Sequence, residues 1–342
     1  METTTQDRYD AVVLGGGAAG LAGAIALARA RRSVLVLDAG DPRNAPADGV
    51  HNYLGLDGTP PRELIATGRG ELARYGGHVV DVPAVAARRR DVPLDDPEGA
   101  FTVDLADGRS VRARRLLVTT GLRDELPDVP GLADRWGRDV LHCPYCHGWE
   151  VRDAAVGVLA TGPLAAHQAL MWRQWTADLV LLRHTGPAPT EEEAERLAAR
   201  GVRVVDGEVV AVETEGERLA GVRLADGTFV PLAALVVAPL FAARADLLAG
   251  LGLVPEDLRV GDHVIATQVP ADATGATAVP GVRVAGNVAD ARAQVIVSAA
   301  QGLAAAAATN QELIDEDTRL AVEARRAATA GDTAAARSGT AA

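Results

Sequence analysis

Between a short apolar run and an alanine-rich stretch lies Gly15-Gly16-Gly17-Ala18-Ala19-Gly20, and this arrangement restricts what the N-terminal part can become more than any other feature of the chain. Ala11-Val12-Val13-Leu14 reads as a buried strand and the residues after the glycines, to about Arg31, as a helix, so the glycines form the G-x-G-x-x-G turn in the context it requires. Gly15 permits a tight turn, Gly17 lets a pyrophosphate approach the backbone, and Gly20 lets helix and strand pack closely. Ala18 and Ala19 open a helix whose N-terminus faces the phosphates. Val34-Leu35-Val36-Leu37 supplies the next strand and ends at Asp38, where a carboxylate would hold a pair of ribose hydroxyls, with Ala39 beside it. The bland alternative is a plain turn between helix and strand without a ligand.

The other bounds are broad. A chain of 342 residues is long for one core and comfortable for two, and 48% hydrophobic residues can fill both. No run of about 18 apolar residues exists, and residues 1–10 are polar and acidic, unlike a signal peptide, so a cytoplasmic protein without a membrane partner is expected. A net charge of -12 argues against nucleic acid or an anionic membrane surface, which need a basic face. Lysine is absent, which removes Schiff-base chemistry and lysine-bearing phosphate loops; all fixed positive charge is arginine.

Both cysteines fall in Leu141-His142-Cys143-Pro144-Tyr145-Cys146-His147, with two residues between them. Thiols at this spacing can close a short disulfide loop and exchange it through a mixed disulfide, provided the attacking sulfur is partly thiolate. His147 follows the second cysteine and could supply the base. A zinc half-site of His142, Cys143, Cys146 and His147 is the first alternative, although zinc sites usually pair two separated ligand clusters. Two unrelated packed cysteines are the second.

Elsewhere the pattern is of strands and helices. Residues 40–44 and 50–55 read as polar loops, 61–75 as a helix, and 79–88, 101–105 and 110–114 as β segments, with 88–98 as a solvated rim. Residues 116–121 read as a buried strand ending in Thr119-Thr120-Gly121, and 123–131 as a linker. A second strand-turn-helix-strand pattern covers 155–182, but its turn is damaged: Ala160 stands where the first glycine belongs and Pro163 follows Gly162. Arg183-His184 then offers one certain positive charge where a 2′-phosphate would want several. A helix over 191–200 and β segments at 202–205, 208–213 and 221–224 follow; residues 235–238 read as a strand returning to the first domain. Residues 281–285 form a strand leading through Gly286-Asn287 to Gln294 and a helix over 295–310, and beyond Thr318 the tail reads as frayed or loosely helical.

Taken together, the first fingerprint with Asp38, the Thr119-Thr120-Gly121 turn, the Cys-x-x-Cys, and Gly286-Asn287 followed by Gln294 resemble the FAD-dependent, thioredoxin-reductase-like pyridine nucleotide-disulfide oxidoreductases over residues 10–314. The resemblance implies an α/β fold of two Rossmann-like three-layer domains, the second inserted into the first, and a homodimer. Residues 1–122 and 244–316 would form the FAD domain, 123–243 an NAD(P)-type domain carrying the cysteines, and 317–342 a tail. Gly15, Gly17, Gly20 and Asp38 would hold the ADP half of FAD, and Asn287 the ribityl chain, where the family usually has aspartate. Backbone groups of Gln294 and Val295 would meet the flavin's pyrimidine edge, with Asn44 and Asn52 as further flavin contacts. Cys146 would face the flavin and Cys143 would exchange with substrate.

Two departures bear on function. Thioredoxin reductases place aspartate after the second cysteine, where this chain has His147, and the NADPH site is altered at both its turn and its arginines. In both respects the chain is similar to the dithiol oxidases of natural-product pathways, those that close the disulfides of holomycin and gliotoxin. The expected function is therefore an FAD-dependent oxidase of a small-molecule dithiol that passes electrons to O2, without NADPH. An NADPH-dependent thioredoxin or disulfide reductase is the first alternative, and a flavin-bearing redox sensor without turnover the second.

Overall fold

A computed structural model describes residues 7–338, with side chains described for residues 7–330. The opening residues 1–6, read above as polar, and the last four residues of the tail lie outside the described residues. The chain begins with β1 (Arg8–Leu14), α1 (Ala18–Arg29) and β2 (Val34–Leu37). β1 is flanked by parallel neighbours on both sides and buried on both faces, which is why it reads as an unbroken apolar run rather than an alternating one. α2 (Pro61–Arg74) starts with proline at a position whose N–H would have had no partner in the helix.

β3 (His78–Val80), β4 (Ala84–Arg89), β5 (Phe101–Leu105) and β6 (Ser110–Val118) complete most of a seven-stranded sheet of order β3-β2-β1-β6-β5-β4. Two sequence expectations change here. The segment over 79–88 is two strands at opposite edges of the sheet, parted at Pro83, which lacks the N–H a continuous ladder needs. The segments at 110–114 and 116–121 share one strand, which ends at Val118: its first half pairs antiparallel with β5 and its second half pairs parallel with the late strand Val282–Val284. The intervening Arg114 and Arg115 look like a break but are buried, their charges met by Glu316, Glu312 and Asp317.

The chain then crosses to a second sheet. The stretch read as a linker starts with a strand, β7 (Leu122–Glu125). β8 (Val140–Leu141), α3 (Pro144–His147), β9 (Val156–Leu159), α4 (Ala165–Trp172), β10 (Leu179–Leu182), α5 (Glu191–Ala199) and β11 (Arg203–Val205) follow. α5 opens with a reciprocal cap between Thr190 and Glu193. β12 (Val209–Glu215), β13 (Arg218–Leu224) and β14 (Phe229–Pro231) make a separate antiparallel sheet, and β15 (Ala234–Val237) enters the middle of the parallel one, whose order is β11-β10-β9-β15-β8. β15 is thus a core strand of the second domain and not the return to the first. The return is β16 (Leu240–Ala243), which lies antiparallel to β7, so the outgoing and incoming crossings run side by side.

β17 (Glu256–Val260) and β18 (His263–Gln268) extend that crossing pair into a four-stranded sheet, and β19 (Val282–Val284) rejoins the first sheet beside β6. The second domain is therefore inserted into the first, giving the two-domain α/β fold that the sequence suggested. In the first domain Ala19, Ala24 and Leu27 of α1 pack with Ala305 and Ala306 on one sheet face, while Leu248, Leu251 and Val269 cover the other. In the second, Ala169, Trp172 and Leu197 cover one face, and Val212, Val222 and Leu224 of the small antiparallel sheet the other.

α6 (Val295–Ser338) runs without a break through the point near residue 310 where the sequence reading ended it. Ion pairs from Arg32 and Arg114 to Asp317 hold the helix beyond that point, and its alanine-rich continuation needs no tertiary partner to favour helix. No described helix is long and apolar enough to cross a membrane.

Candidate active site

One cavity of about 1520 Å3 runs from the first glycine turn to the cysteines, larger than the roughly 300–1,000 Å3 of a pocket for one small molecule. Gly15, Gly17, Ala18 and Ala19 line one end, together with Asp38, Ala39 and Asn44. Thr120, Gly121, Gly286, Asn287, Gln294 and Val295 also line it, as do Cys143, Cys146 and His147. Two predicted residues are not in its wall. Gly20 packs behind the turn, and Asn52, expected at the flavin, instead donates its side-chain N–H to the Tyr145 carbonyl at 2.7 Å, tying its loop to the cysteine segment.

The turn fits a dinucleotide on its own geometry. Gly15 has φ +107°, where an added β-carbon would stand 2.5 Å from the Thr119 carbonyl oxygen. At Gly20 a β-carbon would come within 1.9 Å of the Gly15 carbonyl oxygen, so helix and strand can be this close only with glycine. Gly17 is different: nothing lies within 4 Å of where its β-carbon would be, which leaves its backbone open to an approaching phosphate. Asp38 accepts from the Gly16 N–H at 3.1 Å and from Arg69 Nη2 at 2.5 Å, and a carboxylate offers about four lone-pair positions, enough for ribose hydroxyls as well. Arg69, which also reaches Asp81 at 2.7 Å, gave no signal in the sequence because it lies on α2, far along the chain from Asp38.

Asn287 is more committed than expected. Its Nδ2 donates to the carbonyls of Asp290 (3.1 Å) and Ala293 (2.9 Å), so its amide shapes the turn before α6; Oδ1 accepts from Arg43 Nη1 at 3.5 Å and keeps a second lone pair for a hydroxyl.

At the far end, β8 delivers Cys143 to the N-cap of α3, and Pro144 begins the helix. The single turn sets Cys143 and Cys146 three residues apart on one face, both half-buried and here in the dithiol form. The pair is electrically asymmetric. Cys143 is held below the usual thiol range, chiefly by the hydrogen bond that the Cys146 thiol donates to it; the N–H groups of Cys146 and Tyr145 and the charge of Arg43 help, against the opposing effect of burial. Cys146 is pushed up by that same hydrogen bond, by burial and by the developing charge on Cys143. Cys143 therefore ionises first.

Three histidines surround the pair. His147 lines the cavity, and burial lowers its pKa, with Glu150 opposing, so it is a neutral imidazole at neutral pH. His142 is pushed down to about 4 by burial and by Arg43, and its ring meets Phe241 edge-on at 4.9 Å. His51 has Nε2 3.4 Å from Glu150 and Nδ1 3.5 Å from Asp57. Among the described residues no cluster of three or more histidine, cysteine, aspartate or glutamate side chains is arranged to hold a metal ion.

The second turn also borders the cavity, and the two basic residues after its strand make contacts of their own. Arg183 Nη1 pairs with Asp206 at 2.7 Å, and His184 Nδ1 accepts from the Val209 N–H at 3.1 Å while burial lowers its pKa. His263, from β18, lies against the turn itself: a β-carbon at Gly162 would stand 2.7 Å from its Nε2.

A phosphate cradle and a dithiol sharing one cavity, on two Rossmann-like sheets, define a disulfide oxidoreductase of the flavin-dependent kind. The chain belongs to the pyridine nucleotide-disulphide oxidoreductase family, which it matches over residues 9–302. It is similar to the crystal structure of HlmI, at 43% identity, covering 96% of this chain and 99% of that one with a TM-score of 0.87. An oxidoreductase from Agrobacterium tumefaciens is similar at 33% identity, covering 90% and 99% of the two chains with a TM-score of 0.81. Among curated proteins, thioredoxin reductase tcpT of Claviceps purpurea is 40% identical over 166 residues, 47% of this chain and 49% of its own length. Thioredoxin reductase aclD of Aspergillus oryzae is 40% identical over 158 residues, 46% and 49% of the two lengths. The match thus spans about half the length of these curated relatives. The family implies FAD as cofactor, and the first turn has the geometry to hold it.

Proposed function

We propose that the protein is an FAD-dependent dithiol oxidase that closes a disulfide in a small-molecule dithiol and sends the electrons to O2. The observation that carries this reading is the contrast at the second turn: Arg183 and His184 are already partnered and His263 lies on Gly162, while the first turn is open and shares its cavity with the cysteines. The names of the curated relatives favour a second reading, an NADPH-dependent disulfide reductase. That reading needs the second turn to release these contacts and take up a dinucleotide.

In the proposed cycle the oxidised enzyme holds a Cys143–Cys146 disulfide. His147, neutral and in the cavity wall, accepts the proton of one substrate thiol. The thiolate attacks Cys143 Sγ, forming a mixed disulfide while the S–S bond breaks and Cys146 leaves with the electron pair. His147 passes its proton to the Cys146 thiolate and takes that of the second substrate thiol, which attacks the substrate sulfur bonded to Cys143, closes the product disulfide and expels Cys143. The depressed pKa of Cys143 suits it to leave, because a thiol of lower pKa is the better leaving group. Two electrons and two protons have then passed from substrate to the protein, with Cys146 the more readily protonated sulfur. Gly15, Gly17 and Asp38 would hold FAD, with Asn287 and the backbone near Gln294 nearer its flavin; when bound, it supplies the two-electron acceptor and a route to O2, giving hydrogen peroxide.

The test is oxygen uptake by the FAD-loaded protein with a small neutral dithiol such as dithiothreitol. We expect one hydrogen peroxide per disulfide formed, and loss of turnover in Cys143→Ser and in Cys146→Ser. Wild-type turnover in either serine variant would overturn the mechanism.

A further inference from the structure

Arg43 sits in the loop after β2, far from the cysteines in sequence, yet its guanidinium is fixed from three sides beside them. Nε and Nη2 grip the Asp124 carboxylate of β7 at 2.7 and 2.6 Å, Nη1 reaches Asn287 Oδ1 at 3.5 Å, and Cζ lies 5.1 Å from the centre of the Phe241 ring on β16. Phe241 in turn meets His142, the residue before Cys143, and the His142 carbonyl accepts from Trp172 Nε1 at 3.4 Å. Arg43, Cys143 and Cys146 line the same cavity. With no lysine in the chain, a cation at this point has to be arginine, and the two-pronged grip on Asp124 gives it a fixed direction that an ammonium would lack.

We propose that Arg43 is a positioning residue for the redox pair, a clamped cation whose charge favours the thiolate of the reduced cysteines. The inference rests on the reading of Cys143 and Cys146 as the redox pair, but not on the direction of electron flow or on the substrate. The charge of Arg43 lowers both thiols and also His142, consistent with a cation close to all three. The other titratable or charged groups around the pair are His142 and His147 on its own segment, Glu150 just after it, His51 and Asp48 from the loop that carries Arg43, and Asp124 on β7. Of these, Asp124 matters most to the argument, because it holds Arg43 and partly cancels it.

That opposition gives a test in which charge and structure predict different signs. The reduced, FAD-loaded protein is treated with iodoacetamide across pH 6–10 and modification of Cys143 is followed by mass spectrometry, with flavin absorbance as the check on folding. Arg43→Gln should raise the apparent thiol pKa and slow alkylation at neutral pH by about three- to tenfold, since one unit is tenfold in thiolate population. Asp124→Asn leaves the cation and removes its counter-charge, so alkylation should stay equal or become faster. Arg43→Lys, which keeps charge without the fork, should fall closer to wild type than Arg43→Gln and decides the matter if Arg43→Gln loses its flavin. If Arg43→Gln leaves the pH profile unchanged, or if the Arg43 variants and Asp124→Asn all slow alkylation together, Arg43 is only a structural clamp and the proposal is overturned. These measurements need no turnover, so they fail or succeed independently of the oxidase reading, which oxygen uptake and the serine variants decide.

Discussion

The two strand-turn-helix-strand units of this chain share a topology and differ in a handful of atoms. In the first, Gly17 faces open cavity, Gly15 and Gly20 let the turn close, and Asp38 waits at the end of β2. In the second, Ala160 replaces a glycine, Pro163 removes a backbone N–H near the start of α4, Arg183 and His184 are partnered, and His263 lies on Gly162. Both units keep a buried parallel sheet, because the fold needs only apolar strands and a helix that packs on them. Nucleotide binding needs backbone N–H groups open to the phosphates as well, so it can be lost while the fold stays.

The sharpest way to break this contrast is to fill the open turn. Gly17→Val would put its side chain where a phosphate must come, without touching protein, so at least about a tenfold loss of bound FAD is expected in a chain that still folds. Gly162→Val in the second turn would press on His263 instead and should leave FAD content unchanged; flavin absorbance per protein reports both. Full FAD occupancy in Gly17→Val would remove the first turn from the cofactor site.

A loss read in rate rather than binding is expected at the cysteines. His147→Ala should lower dithiol oxidation by roughly 10²–10⁴, the usual range for a positioned proton acceptor. A near-normal rate from pH 6 to pH 8 would make His147 a bystander at the cavity wall.

A third effect is on stability. The pKa of His142 is about 4 in the folded chain against an ordinary 6.5, so between these values the unfolded chain binds the extra proton. Its contribution is fully present above about pH 6.5 and is lost as pH falls towards 4, on the order of 3 kcal/mol across that window. The lowered pKa of His147 acts with the same sign. Denaturant melts of wild type and His142→Gln from pH 4.5 to 7.5 check this: the variant should show the shallower decline towards acid, and equal slopes would contradict the burial of a neutral His142.

What was legible in the sequence was local. β1, the first turn, β2 and the cysteine pair each announce themselves within a few residues, because apolar runs, glycine spacing and a Cys-x-x-Cys are properties of adjacent positions. Most of what was missed concerns partners distant in sequence. Arg114 and Arg115 split β6 on paper because Glu312, Glu316 and Asp317, which allow their burial, lie on α6. β7 read as a linker because its partner β16 comes after the whole second domain. The Asn52 amide was read only from its loop, and its bond to the Tyr145 carbonyl joins positions 93 residues apart. Arg43, Arg69 and His263 carried no pattern at all; each acquires a role only when the fold brings it to a cysteine pair, a carboxylate or a glycine.

The central claim is that electrons enter from a dithiol and not from a nicotinamide, and stopped-flow absorbance under anaerobic conditions tests it directly. The FAD-loaded protein is mixed with excess dithiothreitol in one experiment and with excess NADPH in another, and flavin bleaching is followed in each. The present reading expects rapid bleaching by the dithiol and slow or no bleaching by NADPH. Rapid stoichiometric bleaching by NADPH, with electrons then recovered in a reduced disulfide substrate, would contradict it and make the protein a reductase.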